Sequence, residues 1–80
     1  MTDRKKPHFN KRNRIESYIW IGITSYYQGN YARARRAFTK AIRLCPNNPR
    51  LHKLRGEFFE AIGNMKAARL DFDTADFLCA

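Results

Sequence analysis

The sequence predicts an all-α fold of two helical hairpins, giving four antiparallel helices. Three observations lead to this prediction. Apolar residues recur at three- and four-residue spacing, Gly-Asn pairs at 29–30 and 63–64 interrupt that spacing, and most of these marks return 34 residues later. Glycines and alanines at such spacings let two helices approach closely, so the pattern indicates a scaffold and not a catalytic centre.

An internal repeat becomes visible when the sequence is aligned with itself at an offset of 34 residues. The identical pairs are Gly22 and Gly56, Gly29 and Gly63, Asn30 and Asn64, Ala34 and Ala68, Arg35 and Arg69, Phe38 and Phe72, Ala41 and Ala75, Leu44 and Leu78, and Cys45 and Cys79. Because the identities cluster at turn and packing positions, we interpret residues 15–48 and 49–80 as two copies of one unit.

The first hairpin is predicted to contain helices at Ile15–Gln28 and Tyr31–Leu44, separated by Gly29-Asn30. The first of these helices is apolar on most sides, so we expect neighbours to cover it on more than one flank. The second has a small buried face and a cationic face. The buried face comprises Ala34, Phe38, Ala41 and Ile42; the cationic face comprises Arg33, Arg36, Lys40 and Arg43.

The second hairpin begins after Pro46, which cannot continue a helix. Asn48 can cap the third helix and Pro49 suits its first turn, so this helix is predicted from Pro49 to about Ile62. The fourth helix is predicted from Met65 to about Leu78. Its inward-facing residues are expected to be Ala68, Phe72, Ala75 and Leu78.

Residues 1–14 are predicted to form a flexible basic arm, because no helical or strand period emerges there. A solubilising tail is one interpretation; nucleic-acid binding, localisation or an acidic partner are the others. The whole chain carries a net charge of +9 and has a pI near 10.2, which favours acidic partners without identifying one.

The chain shows no pattern typical of secretion, membrane insertion or metal binding. Its longest apolar stretch, IWIGI, is too short to span a bilayer, and the N-terminus lacks the apolar run of a secretory signal. We therefore expect an intracellular, cytoplasmic protein, with a nuclear location also compatible. Cys45 and Cys79 stand at equivalent repeat positions, about 10 Å or more apart by ordinary helix packing, too far for a disulfide.

No catalytic or cofactor site is expected. His8 lies in the arm and His52 stands alone on a helix, and with the two cysteines they lack zinc-ligand spacing. No Ser/His/Asp, Cys/His or phosphate-cradling glycine arrangement occurs, so we predict that the chain is not an enzyme and holds no metal.

The 34-residue period and its marker residues resemble the tetratricopeptide repeat. The first copy carries the residues of the family pattern, with Tyr18 where Trp is usual: Tyr18, Ile21, Gly22, Gly29, Tyr31, Ala34, Phe38, Ala41 and Pro46. The second copy keeps Gly56, Phe59, Gly63, Ala68, Phe72 and Ala75. It departs at His52 and Arg55, where large apolar residues are expected. Leu51, Leu54 and Phe58 there form an apolar stripe displaced by about one residue.

The resemblance implies an α-solenoid whose first helices line a groove for a peptide or a partner's helix. The corresponding groove positions here are Ile19, Ile23, Tyr26, Tyr27, Lys53, Glu57 and Glu60. In the family, the clamp for acidic chaperone tails uses Lys and Asn at such places. Ile19, Ile23 and Glu57 stand there in this chain, which disfavours such tails and favours a mixed apolar and basic ligand.

Two repeats are fewer than the three or so that such arrays need for independent stability. We therefore expect an uncovered C-terminal end that associates with a second copy or with a partner's helix. The expected residues are Leu51, Leu54, Phe58, Leu70 and Phe77. The alternative is that these residues fold into the four-helix core. Cationic residues on the second helix and Asp71, Asp73 and Asp76 on the fourth would favour head-to-tail pairing, although solvation of surface charges is the more common explanation.

The leading functional prediction is thus a protein-binding scaffold without chemistry of its own. The alternative, from a different class, is RNA or DNA binding through the arm and a basic patch of Arg33, Arg36, Lys40 and Arg43. Tyr26, Tyr27 and Phe9 could add base stacking, although tyrosines at helical spacing are more often packing residues.

Overall fold

The computed structural model describes residues 11–79, and these residues form four α-helices without any strand. The helices are α1 (Lys11–Tyr27), α2 (Tyr31–Leu44), α3 (Pro49–Ala61) and α4 (Met65–Cys79). α1 packs on α2, α3 packs on α4, and α2 contacts α3 to join the two hairpins. The predicted all-α fold of two helical hairpins is confirmed.

The helix boundaries agree with the prediction except at the start of α1. α2 has its predicted limits, and the ends of α1, α3 and α4 differ from prediction by one residue. α1 begins at Lys11, four residues before the predicted Ile15. Lys and Arg are good helix formers and extending a helix is easier than nucleating one, so part of the predicted arm joins α1. Residues 1–10 of the arm lie outside the described residues.

The two hairpin turns are near copies of each other. Gly29 and Gly63 have φ angles of 81° and 87°, a conformation that glycine adopts without the clash of a Cβ. The Asn30 amide donates to the Ser25 carbonyl at 2.9 Å, and the equivalent bond of Asn64 is 2.8 Å. Each Asn side chain also accepts a hydrogen bond from the backbone amide three residues later at 3.2 Å. One local hydrogen-bond pattern therefore ends the first helix and starts the second in both hairpins.

Close contact between the helices of each hairpin depends on a glycine in the first helix. A Cβ on Gly22 would lie 2.7 Å from a ring carbon of Phe38, and one on Gly56 would lie 2.8 Å from the ring of Phe72. Real Cβ atoms essentially never come this close to a neighbour. The repeated Gly and Phe pair thus sets the helix separation within each hairpin.

The core consists of two clusters at the junction between the hairpins. One contains buried Ile19, Ala41, Ile42 and Leu51; the other contains buried Ala34, Phe38 and Phe58. Leu54 is half-buried and packs against both clusters. The displaced apolar stripe of α3 therefore holds the second hairpin against the first.

The departures of the second copy from the repeat pattern form a buried polar cluster. Arg55 donates two hydrogen bonds of 2.8 Å to the carboxylate of Asp71 and a third, of 3.2 Å, to the Thr39 hydroxyl. His52 is buried, and its Nε2–H donates to the Pro46 carbonyl at 2.7 Å. Asp71 is 4% exposed, so the prediction that it is a surface charge of α4 was wrong: its carboxylate is needed to pair with Arg55.

Candidate functional site

An exposed apolar stripe runs along α1 on the side away from α2. Trp20, Ile23 and Tyr27 are spaced i, i+3 and i+7 and are 69%, 36% and 80% exposed. Because Gly22 and Ser25 are buried, the opposite side of the helix points to solvent. Neighbours cover α1 on more than one flank, as predicted, with α2 at Gly22 and α3 at Ile19, but no described residue buries this stripe.

Tyr26 connects the exposed stripe to the core. Its ring centroid lies 5.1 Å from that of Tyr27 in an edge-on arrangement, 5.8 Å from Tyr31 and 6.3 Å from Phe58. These separations are typical of favourable aromatic pairs. Tyr26 is half-buried while Tyr27 is exposed, so one aromatic cluster extends from the hairpin junction to the surface.

The neighbouring surface on α3 is charged. Lys53, Glu57 and Glu60 are all exposed on this helix. At the end of the same surface, Arg50 pairs with Glu16 of α1 at 3.5 Å, which links the two helices across the junction. α1 therefore presents an apolar and aromatic wall and α3 presents a charged wall, of which Lys53 and Glu60 also line grooves that α3 forms with α4.

The predicted groove residues are divided between two helices: those of α1 include one core residue, and on α3 Lys53 and Glu60 line grooves that the helix forms with α4. Ile19 is 5% exposed and packs with Ala41, Ile42 and Leu51, so it is a core residue and has no area left for a partner. It turns towards α3 because α3 lies directly beside α1 at the hairpin junction. The groove positions with exposed or half-buried side chains are Ile23, Tyr26, Tyr27, Lys53, Glu57 and Glu60.

The residues predicted for self-association divide into two groups. Leu51 and Phe58 are 2% and 5% exposed, and Leu54 is half-buried between the two clusters. Assigning these three to an open surface was wrong, because they attach α3 to the first hairpin. Leu70 and Phe77 are 64% and 78% exposed on α4.

The basic residues of α2 line its outer side. Arg33, Arg36 and Arg43 are exposed, and so is Lys40, whose ammonium lies 5.8 Å from the centroid of the Tyr18 ring. These four cations therefore form one basic surface, and Arg33 at its edge lines a groove with Trp20 of α1.

The described residues offer no metal centre and no membrane span. Cys45 is half-buried, Cys79 is exposed and both thiols are free. Between residues 11 and 79, no group of three or more His, Cys, Asp or Glu side chains could hold a metal ion. No helix in the same range combines the length and apolar character that crossing a bilayer requires.

Sequence reasoning missed the exposure of Trp20 and the buried pair of Arg55 and Asp71. Trp20 shares its helix face with Ile23 and Tyr27, a spacing that was visible in the sequence. For the polar pair, the available signal was a basic residue at an expected core position of α3, which requires an acidic partner when it is buried.

Residues 15–48 match the family model of the tetratricopeptide repeat. This range covers α2 and the part of α1 that was predicted as the first helix of the unit. The second hairpin, with the same turn geometry and the same glycine and phenylalanine contact, is similar to this repeat. Comparisons with curated proteins and with solved structures gave no match.

Tetratricopeptide repeats are generally protein–protein interaction modules. The first hairpin of this chain is similar to these repeats.

Proposed function

We propose that this chain binds a peptide or a partner's helix on the surface shared by α1 and α3. The observation that carries the proposal is the apolar wall of α1, formed by exposed Ile23 and Tyr27 and half-buried Tyr26, together with the exposed charges of α3. Exposed aromatic side chains rimmed by polar residues are typical of protein-binding sites. The interaction role that is general for tetratricopeptide repeats supports the same function.

The two walls suggest which ligand would bind. An apolar side chain of the ligand would lie against Ile23 and Tyr27, where burial of apolar surface supplies the affinity. Basic side chains would face Glu57 and Glu60, the exposed acidic residues of α3, whose exposed cations are Lys53 and Arg50, the latter paired with Glu16 of α1. We therefore propose a ligand segment that combines apolar and basic residues. An acidic tail would be repelled by the two glutamates.

Selection from a random peptide library displayed on phage, with the full chain as bait, tests this proposal. Enriched peptides should combine apolar and basic residues, and their affinity should be measured with synthetic peptides by fluorescence anisotropy. We expect Tyr27→Ala to weaken binding by about tenfold or more, as truncation of a central aromatic anchor does. Phe77→Ala is the matched control, because Phe77 is equally exposed but lies on α4.

A charge reversal on α3 provides a second, independent readout. The double variant Glu57→Lys with Glu60→Lys should weaken binding of basic peptides, whereas Arg43→Ala, on α2, should not change it. Selected peptides that bind the Tyr27→Ala and Ile23→Ala variants as tightly as the wild type would contradict the proposed surface.

Nucleic-acid binding is the second candidate, and the exposure of the four basic residues predicted for this patch of α2 favours it. Their spacing of three and four residues aligns Arg33, Arg36, Lys40 and Arg43 along one side of the helix. Each phosphate that they neutralise should add about 0.7 to the log-log salt slope for single-stranded RNA.

Anisotropy of a labelled, generic single-stranded RNA over a salt series tests this second function. Arg36→Glu with Lys40→Glu should reduce both affinity and slope. Lys66→Glu with Arg69→Glu changes the charge equally on α4 and should have less effect. Weak binding with a flat salt response, or equal losses in the two double variants, would eliminate α2 as a nucleic-acid surface.

A further inference from the structure

The junction inside the chain shows how one hairpin receives the next. α3 contributes Leu51 to the cluster around Ile42 and Phe58 to the cluster around Phe38, and Leu54 packs against both. The first hairpin, which receives α3, contributes residues of α1 and α2 to these two clusters. This junction is a complete example of a contact between successive repeats.

The 34-residue offset locates the same receiving surface on the second hairpin. The equivalents of Ile19, Phe38, Ala41 and Ile42 are Lys53, Phe72, Ala75 and Asp76. These four residues, named here the tail surface, line one surface groove between α3 and α4. Phe72 is half-buried, whereas its equivalent Phe38 is buried under α3, because no described residue packs over the groove.

The offset also locates the inserting surface on the first hairpin. The equivalents of Leu51, Leu54, Arg55 and Phe58 are Ser17, Trp20, Ile21 and Thr24 of α1, named here the head surface. Trp20 occupies in α1 the repeat position that Leu54 occupies in α3. Leu54 packs against both core clusters, whereas Trp20 is 69% exposed. The first hairpin therefore exposes a large apolar side chain at the repeat position whose counterpart in the second hairpin is packed into the junction.

Charged residues next to the two surfaces agree with this pairing. Inside the chain, Glu16 pairs with Arg50 at equivalent positions of successive repeats. Stacking a further first hairpin on the tail surface would bring a second Glu16 towards the same Arg50. It would also bring Asp73, the equivalent of Thr39, towards Ile21, which lines a groove with Arg33 and Arg36. Such exposed pairs orient an encounter more than they stabilise it.

We propose that the tail surface binds the head surface of a second copy of this chain, with Trp20 of that copy in the place equivalent to Leu54. The contact continues the repeat stacking already present inside the chain. It goes beyond the proposed peptide binding, because the ligand is a second copy of the chain and the contact repeats the junction between hairpins; Trp20 adjoins the peptide-binding residues Ile23 and Tyr27, and Lys53 belongs to both surfaces.

The geometry determines what kind of assembly results. A head surface and a tail surface are different patches, so the contact is heterologous and each bound copy still offers a free tail surface. The chain should therefore form linear assemblies whose average length increases with protein concentration. Ser17 and Thr24 replace the apolar Leu51 and Phe58, so the contact between copies is weaker than the junction inside the chain.

Sedimentation velocity of the full chain over a wide concentration range, with one variant for each surface, tests the proposal. Trp20→Ala removes an exposed side chain from the head surface, and Asp76→Arg places a long side chain across the tail groove. The wild type should show an average mass that rises with concentration. Each variant alone should remain monomeric, and circular dichroism should confirm that both are folded.

An equimolar mixture of the two variants is the decisive sample. The intact tail of Trp20→Ala can bind the intact head of Asp76→Arg, so the mixture should form a dimer and nothing larger. Phe77→Ala is the control, because it removes an aromatic side chain as exposed as Trp20 from a site outside both surfaces. It should associate like the wild type.

Three outcomes would overturn the proposal. They are a wild type that stays monomeric at all concentrations, a mixture of the two variants that stays monomeric, and a Trp20→Ala variant that associates like the wild type. The last would indicate a symmetric contact between tail surfaces. None of them bears on peptide binding, which is measured separately with Tyr27→Ala.

Discussion

The guanidinium group of Arg55 on α3 makes two hydrogen bonds of 2.8 Å to the carboxylate of Asp71 on α4. The Asp71 side chain is 6% exposed and that of Arg55 is 22% exposed, so water screens the pair only weakly. In the first hairpin the equivalent positions hold Ile21 and Ala37, an apolar pair. Two solutions to the same helix contact therefore occur in one chain.

Removing one partner of this ion pair should destabilise the fold strongly. We expect Asp71→Ala to lower the free energy of unfolding by about 3 kcal/mol, because it leaves the Arg55 charge partly buried without its partner. The double variant Arg55→Ile with Asp71→Ala reproduces the pair of the first hairpin and should recover most of the loss. Urea unfolding followed by circular dichroism measures both. A double variant no more stable than Asp71→Ala would show that the apolar solution does not suit the second hairpin.

The contact between Gly22 and Phe38 predicts a coupled pair of substitutions. Gly22→Ala would place a Cβ 2.7 Å from the Phe38 ring, and relieving this clash should cost about 1 to 3 kcal/mol. In a Phe38→Leu background the same Gly22→Ala change should cost less, because the smaller side chain leaves room. A double-mutant cycle from urea unfolding gives the coupling energy. Additive effects of the two changes would argue against the steric contact.

The turn at Gly29 predicts a difference between two substitutions at one position. Its φ is 81° and a Cβ added there would meet no neighbouring atom within 4 Å, so only backbone conformation restricts this site. Gly29→Ala should lower stability by about 1 kcal/mol, and Gly29→Asn should cost less, since Asn tolerates the left-handed conformation better. Thermal unfolding of the two variants provides the comparison. Equal losses would mean that the φ angle is not the limiting feature.

Leu51 and Leu70 predict different responses to the same substitution. Leu51 is 2% exposed at the hairpin junction, so Leu51→Ala should cost about 2 to 5 kcal/mol through lost packing and a residual cavity. Leu70 is 64% exposed, and Leu70→Ala should stay within about 0.5 kcal/mol of the wild type. Urea midpoints distinguish them. A small effect at Leu51 would contradict its role in holding α3 against the first hairpin.

The sequence by itself determined the four helices, their turns and the pairing within each hairpin. Gly29-Asn30, Gly63-Asn64 and Pro46 act through the backbone of their immediate neighbours, so their effects can be predicted without knowing the rest of the fold. The buried face of α2 followed from spacing alone for the same reason. The start of α1 was less predictable, because the basic residues before Ile15 have no apolar period but propagate a helix that has already formed.

Only the tertiary structure decided which residues of α1 and α3 are covered. α3 contacts α2 and α4 on different sides, so Leu51 and Phe58 turn towards the first hairpin while His52 and Arg55 lie on other sides of the same helix. Ile19 became a core residue and Trp20 an exposed one for the same reason, although both are apolar neighbours in sequence. Burial depends on where a second helix lies in space, and the period of one helix does not contain that information.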